Sequence, residues 1–183
     1  PSRPYKILML LPVSSTSHRN VFMALATALA DRGHEVVMLS NHPPPKDIAN
    51  IRYIERGLQH FNNENFNFFD NMKNPGKTFE SFMKIMPDIA REVHELPAVK
   101  ELFETRDTYD LIVIDNIFNE LCFPFVENQT FITVATPGFD PVHSAVHGNL
   151  QNPATASNMF QYYPTPMTFL DRVKNIVLLI VSA

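Results

Sequence analysis

The stretch Leu10–Phe22, LLPVSSTSHRNVF, decides the fold of this 183-residue chain. It joins the end of an apolar run, Tyr5–Leu11, to a segment in which apolar residues recur at helical spacing. Pro12 and the serines after it are typical of a turn. The sequence therefore predicts a buried strand, a turn, and a helix that begins at or close to Ser17 as its N-cap. His18 falls at this junction.

The residues that follow complete a strand-helix-strand unit. Gly33 is placed to cap the C-terminus of the helix, and a second apolar run, Glu35–Ser40, predicts the next strand. The helix is predicted to bury an apolar face made of Val21, Phe22, Leu25, Ala28 and Leu29. Units with such short links cross over right-handed into a parallel sheet. The residues after each strand then meet at the carboxyl edge, where open α/β folds bind ligands.

The rest of the chain continues this alternation of strands and helices. Further strands are predicted at Ile51–Glu55, Tyr109–Asp115 and Phe131–Ala135. Helices are predicted over Phe79–Asp107, with Pro97 opening a second helix, over Asn119–Asn128 and over Phe169–Val181. Residues 140–168 are predicted to be irregular. The pattern predicts one α/β domain on a parallel sheet.

Composition excludes several classes of partner. A net charge of -4 and a pI near 6.0 argue against nucleic acid or an anionic membrane as the main partner. The run Ile176–Val181 is far shorter than the roughly 20 residues that span a bilayer. The single cysteine, Cys122, allows no intrachain disulfide and leaves the compartment open. The five glycines are scattered, so the chain lacks the usual phosphate-binding loops.

Two ionisable residues lie at the predicted carboxyl edge of the sheet, so a hydrogen bond between them is geometrically reasonable. His18 comes after the first strand, and Asp115 ends the fourth. An aspartate bonded to a histidine fixes the imidazole tautomer and stabilises the imidazolium, which makes the pair a general base. Residues of these types also serve simply as caps of backbone donors, so both interpretations stay open at this point.

Other chemistries are weaker candidates. A Ser-His-Asp hydrolase would use Ser14, Ser15 or Ser17 as nucleophile, but the chain has no GxSxG motif. His18, His34 and His42 lack the spacing of metal ligands, so we predict no metal site.

The segment Gln59–Asp70, QHFNNENFNFFD, mixes phenylalanines with asparagines and fits neither a helix nor a strand. One interpretation is a loop anchored to the core by its aromatic side chains. The other is an apolar ligand wall that includes Phe66, Phe68 and Phe69. Asn128 begins an N-glycosylation pattern, which matters only in a secretory compartment.

Several segments resemble the N-terminal half of animal UDP-glycosyltransferases, and the arthropod members most. The matching pieces are KILMLLPVSSTSHRNVF from Lys6, LADRGHEVVMLS from Leu29, YDLIVIDNIFNELC from Tyr109, FITVATPG from Phe131 and NPATASNMFQYYPTPMTFLDRVKNIV from Asn152. They occur in family order and cover most of the chain.

The resemblance implies a Rossmann-like parallel sheet with helices on both faces, the N-terminal domain of a GT-B glycosyltransferase. Residues 1–183 would be a single acceptor-binding domain, with the C-terminal donor-binding domain, the membrane anchor and a signal peptide outside this chain. His18 would be the base that deprotonates an acceptor hydroxyl, and Asp115 its charge partner, in an inverting transfer. Ser17, Thr136 and the three phenylalanines Phe66, Phe68 and Phe69 would contact the acceptor.

The same resemblance implies the substrates and the setting. The donor is a UDP-sugar, with UDP-glucose favoured over UDP-glucuronic acid, bound mainly by the C-terminal half and without a metal. The partners are a small lipophilic acceptor and the donor domain, with self-association left open. The longer protein would face the lumen of the endoplasmic reticulum and act in detoxification, and the fragment alone would be soluble and inactive.

A second hypothesis is a non-catalytic domain that binds an apolar small molecule. That hypothesis predicts tight binding that does not depend on His18, whereas the transferase hypothesis predicts a contact between His18 and Asp115.

Overall fold

A five-stranded sheet forms the centre of the chain. The computed structural model describes residues 3–44, 49–55, 75–136, 138, 144–145, 148–149, 152–157 and 163–182, with backbone only for 75–83 and 181–182. The strands are β1 (Lys6–Leu11), β2 (Glu35–Ser40), β3 (Ile51–Glu55), β4 (Leu111–Asp115) and β5 (Phe131–Val134). Their order in the sheet is β3-β2-β1-β4-β5, and every pairing is parallel. All five predicted strands are therefore confirmed, two of them with the predicted bounds.

The described helices are α1 (Thr16–Ala30), α2 (Pro75–Glu95), α3 (Pro97–Glu104), α4 (Phe123–Val126) and α5 (Phe169–Ser182). The second helix predicted to open at Pro97 is confirmed as α3. The outer bounds predicted for this helical region, Phe79 and Asp107, are wrong, because α2 begins at Pro75, α3 ends at Glu104 and a 3-10 turn occupies Arg106–Thr108. Leu96 is extended, as expected for a residue that precedes proline.

The helix predicted over Asn119–Asn128 is also shorter than expected. A 3-10 turn occupies Asn119–Cys122, and α4 contains four residues. Pro124 lies at the start of α4, where the missing N–H costs nothing, and so it opens a new helix instead of lying inside a longer one.

Helices cover both faces of the sheet. Leu8, Leu10, Ile112 and Ile114 face the side covered by α2, α3 and α4. The alternate residues Ile7, Met9, Leu11 and Val113 face α1. Strands buried on both faces read as continuous apolar runs, which is why the sequence identified them. The predicted Rossmann-like class with helices on both faces is confirmed.

The buried face of α1 differs from the predicted one. Phe22 and Met23 are buried together with Ala26 and Ala30, whereas Val21 is 48% exposed. Ala28 is also exposed, and Leu25 and Leu29 are only partly buried. Two adjacent faces of α1 carry apolar residues, so periodicity alone did not determine which of them contacts the sheet.

Gly33 caps α1 as predicted. Its φ of +86° lies in the left-handed region, where glycine has no steric penalty. The Gly33 amide donates to the Ala30 carbonyl at 2.8 Å, and the His34 amide donates to the Leu29 carbonyl at 3.2 Å. This pair of bonds is a Schellman motif, and it directs the chain from α1 into β2.

Polar contacts fix α5 to the rest of the described chain. Asn175 is buried and donates to the Pro153 carbonyl at 2.7 Å and to the Ala156 carbonyl at 2.8 Å. Apolar side chains of α5 are exposed: Phe169, Leu170, Val173, Ile176, Val177 and Ile180. In the part of the chain described above, no helix has both the length and the apolar character needed to cross a membrane.

Asp110 joins the amino ends of β1 and β4. Its carboxylate accepts a hydrogen bond from the backbone amide of Lys6 at 2.8 Å and pairs with the Arg3 guanidinium. The Lys6 amide and then the Arg3 charge hold the pKa of Asp110 below its ordinary value. A lowered pKa in the folded state means that the ionised carboxylate stabilises the fold.

We therefore expect Asp110→Asn to lower the free energy of unfolding at pH 7. The difference from the unsubstituted protein should shrink as the pH falls below about 4, the ordinary aspartate range, and vanish below the lowered pKa of Asp110. Urea unfolding at pH 7 and at successively lower pH measures this. Asp88→Asn, which removes an exposed ion pair to Arg91 within α2, is the control and should change little. An Asp110→Asn effect of equal size at pH 7 and pH 3 would contradict this role.

Candidate active site

The candidate site lies where the strand order of the sheet reverses. From β1 the chain adds β2 and β3 on one side and β4 and β5 on the other. The loops that leave β1 and β4 therefore diverge at the carboxyl edge, which is the usual place for a ligand site in such sheets. His18 lies in the first turn of α1, after β1, and Asp115 is the last residue of β4.

The structure brings His18 and Asp115 together. Nδ1 of His18 lies 3.3 Å from Oδ2 of Asp115, and the two side chains are 20% and 2% exposed. The other carboxylate oxygen, Oδ1, accepts from the backbone amide of Ile117 at 3.3 Å. A carboxylate at Nδ1 favours the tautomer with the proton on Nδ1, and so Nε2 keeps its lone pair and can accept a proton.

Local sequence sets the position of His18. Ser15 has extended backbone angles and is the N-cap of α1, and its hydroxyl accepts from the His18 amide at 3.3 Å. The prediction of Ser17 as N-cap is wrong, since α1 begins at Thr16. Ser17 is exposed, and its hydroxyl lies 2.8 Å from that of Ser15. Sequence alone did not discriminate among neighbouring hydroxyl residues that can all cap a helix.

The turn before α1 is held by the end of β2. Ser14 is buried, and its backbone amide and hydroxyl both donate to Oδ1 of Asn41, at 2.9 and 3.0 Å. Nδ2 of Asn41 donates back to the Ser14 carbonyl at 3.1 Å, and Nε2 of His42 donates to the same carbonyl at 2.7 Å. Sequence analysis missed Asn41; its one signal was an asparagine directly after a buried strand.

Two side-chain oxygens on the β4–β5 side of the edge are buried and have no hydrogen-bond partner among the residues that the structure describes. One is Oγ1 of Thr136, which follows β5, and the other is Oδ1 of Asn116, which follows Asp115. Asn116 is only 6% exposed. An unsatisfied buried oxygen costs about 1–3 kcal/mol, so such atoms mark places where a ligand or water would supply a partner. The sequence predicted Thr136 as a contact residue and missed Asn116.

His34 does not join this site, and three of the predicted acceptor contacts lie in a part of the chain that the structure does not describe. Phe66, Phe68 and Phe69 lie outside the described residues. His34 lies at the amino edge of the sheet, where its Nδ1 accepts from the Tyr5 amide. Among the residues that the structure describes, no group of three His, Cys, Asp or Glu side chains could hold a metal ion.

Cys122 is part of the core rather than of the site chemistry. The thiol is buried on the α2–α4 face of the sheet, and its Sγ lies 4.0 Å from the Leu10 carbonyl oxygen. Burial raises the pKa of the Cys122 thiol, and the nearby carboxylates of Asp115 and Glu120 raise it further. A neutral buried thiol is a poor nucleophile, which leaves the chemistry to the histidine and the aspartate.

Fold and site thus define a Rossmann-like α/β domain with a His-Asp pair at its topological switch point. The chain is 26% identical over 178 residues to UDP-glucosyltransferase 2 and 27% identical over 181 residues to UDP-glycosyltransferase UGT5, both from Dactylopius coccus. Each match covers 93% of this chain and 34% of the relative. The resemblance to UDP-glycosyltransferases is confirmed, and the chain spans about one third of the length of these relatives.

A crystal structure of LpCGTa in complex with UDP matches 86% of this chain and 37% of its own, with 16% identity and a TM-score of 0.41. No family model matches the chain.

The cap assignment can be tested by two alanine substitutions. Ser15→Ala should lower the free energy of unfolding by about 1 kcal/mol, because the His18 amide loses its acceptor. Ser17→Ala should change it by less than about 0.5 kcal/mol, because Ser17 is exposed and caps no amide. Urea unfolding of both variants measures the difference. A larger cost for Ser17→Ala would mean that α1 begins later than described.

Proposed function

We propose that this chain is the acceptor-binding part of an inverting UDP-glycosyltransferase and supplies its catalytic base. The observation that carries the proposal is the contact of His18 with the buried Asp115 at the switch point of the sheet. The similarity to two UDP-glycosyltransferases along 93% of the chain supports the reaction class. The acceptor would be a small lipophilic alcohol or phenol.

The proposed reaction is a single displacement at the anomeric carbon of the sugar. Nε2 of His18 takes the proton from the acceptor hydroxyl, and the Asp115 carboxylate stabilises the imidazolium that forms. The acceptor oxygen forms a bond to the anomeric carbon while the bond from that carbon to the UDP oxygen breaks. UDP leaves with the bonding electron pair, and attack from the opposite face inverts the configuration.

The UDP-sugar would be held mainly by a separate C-terminal domain. The chain has no glycine-rich phosphate loop, and the relatives are about three times as long as the part that matches. Residues 1–183 would then be the single N-terminal domain of a longer enzyme of GT-B fold. The name of one relative, UDP-glucosyltransferase 2, supports UDP-glucose as donor.

The setting of the enzyme is part of the same proposal. The resemblance to animal UDP-glycosyltransferases supports a membrane-anchored parent protein on the lumen side of the endoplasmic reticulum, with a role in detoxification. We propose no metal for the reaction. Ser17, Phe66, Phe68 and Phe69 remain proposed acceptor contacts.

Thr136 is the proposed acceptor contact that has the best physical support. Thr136 comes two residues after Val134, the last residue of β5, and Val134 pairs with Asp115, so Thr136 follows the strand that neighbours the end of β4. Its buried Oγ1 has no hydrogen-bond partner within the described ranges, and a polar group of the acceptor would supply one.

His18→Ala should lower kcat of the complete enzyme by roughly 10²- to 10⁴-fold, the usual contribution of a positioned base. Transfer from UDP-glucose to a panel of phenols measures the effect. Asp115→Asn keeps the side-chain shape but removes the charge and should also lower kcat. The 183-residue chain alone should not catalyse transfer.

His34→Ala is the matched control, since His34 lies at the opposite edge of the sheet and should leave turnover unchanged. Near-normal turnover of His18→Ala would exclude the base role. If the 183-residue chain also bound apolar compounds tightly and without dependence on His18, a non-catalytic binding domain would be the better conclusion.

Thr136→Val should separate binding from folding. Removal of an unsatisfied buried hydroxyl should leave the free energy of unfolding unchanged or raise it by up to about 1 kcal/mol. The KM for the acceptor should rise by about fivefold, since one hydrogen bond contributes about 1 kcal/mol. Thr133→Val, a matched change within β5, is the control for acceptor KM. A destabilised Thr136→Val with unchanged KM would mean that the hydroxyl serves the fold.

A further inference from the structure

We propose that Asn41 is a positioning residue for His18, which acts by fixing the turn from which α1 begins. The inference rests on the proposed base role of His18 for its catalytic meaning. The structural claim, that Asn41 determines the position and the tautomer of the His18 ring, can be tested without any transfer reaction.

The side chain of Asn41 takes the place of a peptide group beyond the end of a sheet ladder. The pairing of β1 with β2 ends at Leu11 and Ser40. Pro12 follows, and because proline has no N–H the ladder cannot continue through it. At Ser14 the carboxamide of Asn41 accepts from the backbone amide and donates to the carbonyl, at 2.9 and 3.1 Å. Both backbone groups of this buried residue are thereby satisfied.

Neighbouring residues hold Asn41 in this role. His42 donates to the same Ser14 carbonyl at 2.7 Å. The His42 amide donates to the Ser40 hydroxyl at 3.2 Å, and the Tyr53 hydroxyl donates to the His42 carbonyl at 2.8 Å. The segment after β2 is thus tied to β3 and to the turn, which makes it a rigid support.

The segment after β2 is connected to His18 through Ser14 and Ser15. Ser14 precedes Ser15, whose hydroxyl accepts from the His18 amide and whose carbonyl accepts from the Arg19 amide at 3.0 Å. These bonds set where the first turn of α1 lies relative to the end of β4. The contact from His18 to Asp115 is 3.3 Å, just beyond the usual range of about 2.7–3.2 Å for an N–H···O bond. A small displacement of the turn would therefore break it.

Only a carboxamide provides this combination of bonds. An aspartate could accept from the Ser14 amide and hydroxyl, but its second oxygen would face the Ser14 carbonyl without a proton to donate. Alanine would leave the buried amide of Ser14 without its acceptor. Asn41→Asp therefore removes only the bond that Asn41 donates to the Ser14 carbonyl. Asn41→Ala removes that bond and the bonds that Asn41 accepts from Ser14.

The test measures the His18 ring directly in the 183-residue chain. Long-range ¹H-¹⁵N spectra of histidine-labelled protein distinguish the Nδ1–H from the Nε2–H tautomer, and His18→Gln assigns the signals. The unsubstituted protein should show the Nδ1–H tautomer, held by Asp115. Asn41→Ala should convert this signal to a mixture of tautomers, and Asn41→Asp should do so in part. Ala28→Ser, an exposed change in the same helix, should leave it unaltered.

The possible outcomes distinguish an effect of Asn41 on the position of His18 from an effect of Asn41 on the stability of the whole fold. Spectra are recorded well below the unfolding temperature of each variant, and if Asn41→Ala does not fold, Asn41→Asp decides. A folded variant with an unaltered His18 tautomer would overturn the proposal. In the complete enzyme Asn41→Ala should lower kcat by about ten- to a hundredfold while the acceptor KM stays the same. If His18→Ala keeps its turnover, the proposed function fails, whereas the tautomer comparison still decides the role of Asn41.

Discussion

The parallel pairing of β1 with β4 is the constraint on which the candidate site depends. Its register runs from Ile7 beside Leu111 to Leu10 beside Ile114, between strands buried on both faces. The register brings two segments that are 97 positions apart, at His18 and Asp115, to the same point of the edge. A shift of one residue would turn the Asp115 side chain to the other face of the sheet, away from α1.

Much of this arrangement could be predicted from the sequence, because strands buried on both faces leave an unmistakable apolar signal. The meeting of His18 and Asp115 followed from one rule, that parallel strands end at a common edge. The features that could not be predicted depend on contacts between distant segments. Ser15 rather than Ser17 caps α1, in a turn where Asn41 holds the preceding residue. The face of α1 that contacts the sheet is the one with Phe22, Met23 and Ala26. Neither choice is encoded within the segment itself.

The polar groups of the carboxyl edge divide into two kinds. On the β1–β2 side, Ser14, Asn41 and His42 satisfy one another. On the β4–β5 side, oxygens of Asn116 and Thr136 are buried and find no partner in the described part of the chain. The first group holds the turn before α1 in place. The oxygens of the second group can still accept hydrogen bonds from a ligand. This division supports an acceptor on the β4–β5 side of the proposed base, with the α1 turn as its fixed reference.

The lone cysteine has a practical consequence. Cys122 is the only thiol in the chain, and it lies in the core on the other side of the sheet from α1. A thiol reagent therefore labels the protein only when this part of the core opens, and the labelling rate gives the opening free energy without any introduced probe. The labelling rate of Cys122 thus reports how often the core opens close to β4, the strand that ends at Asp115.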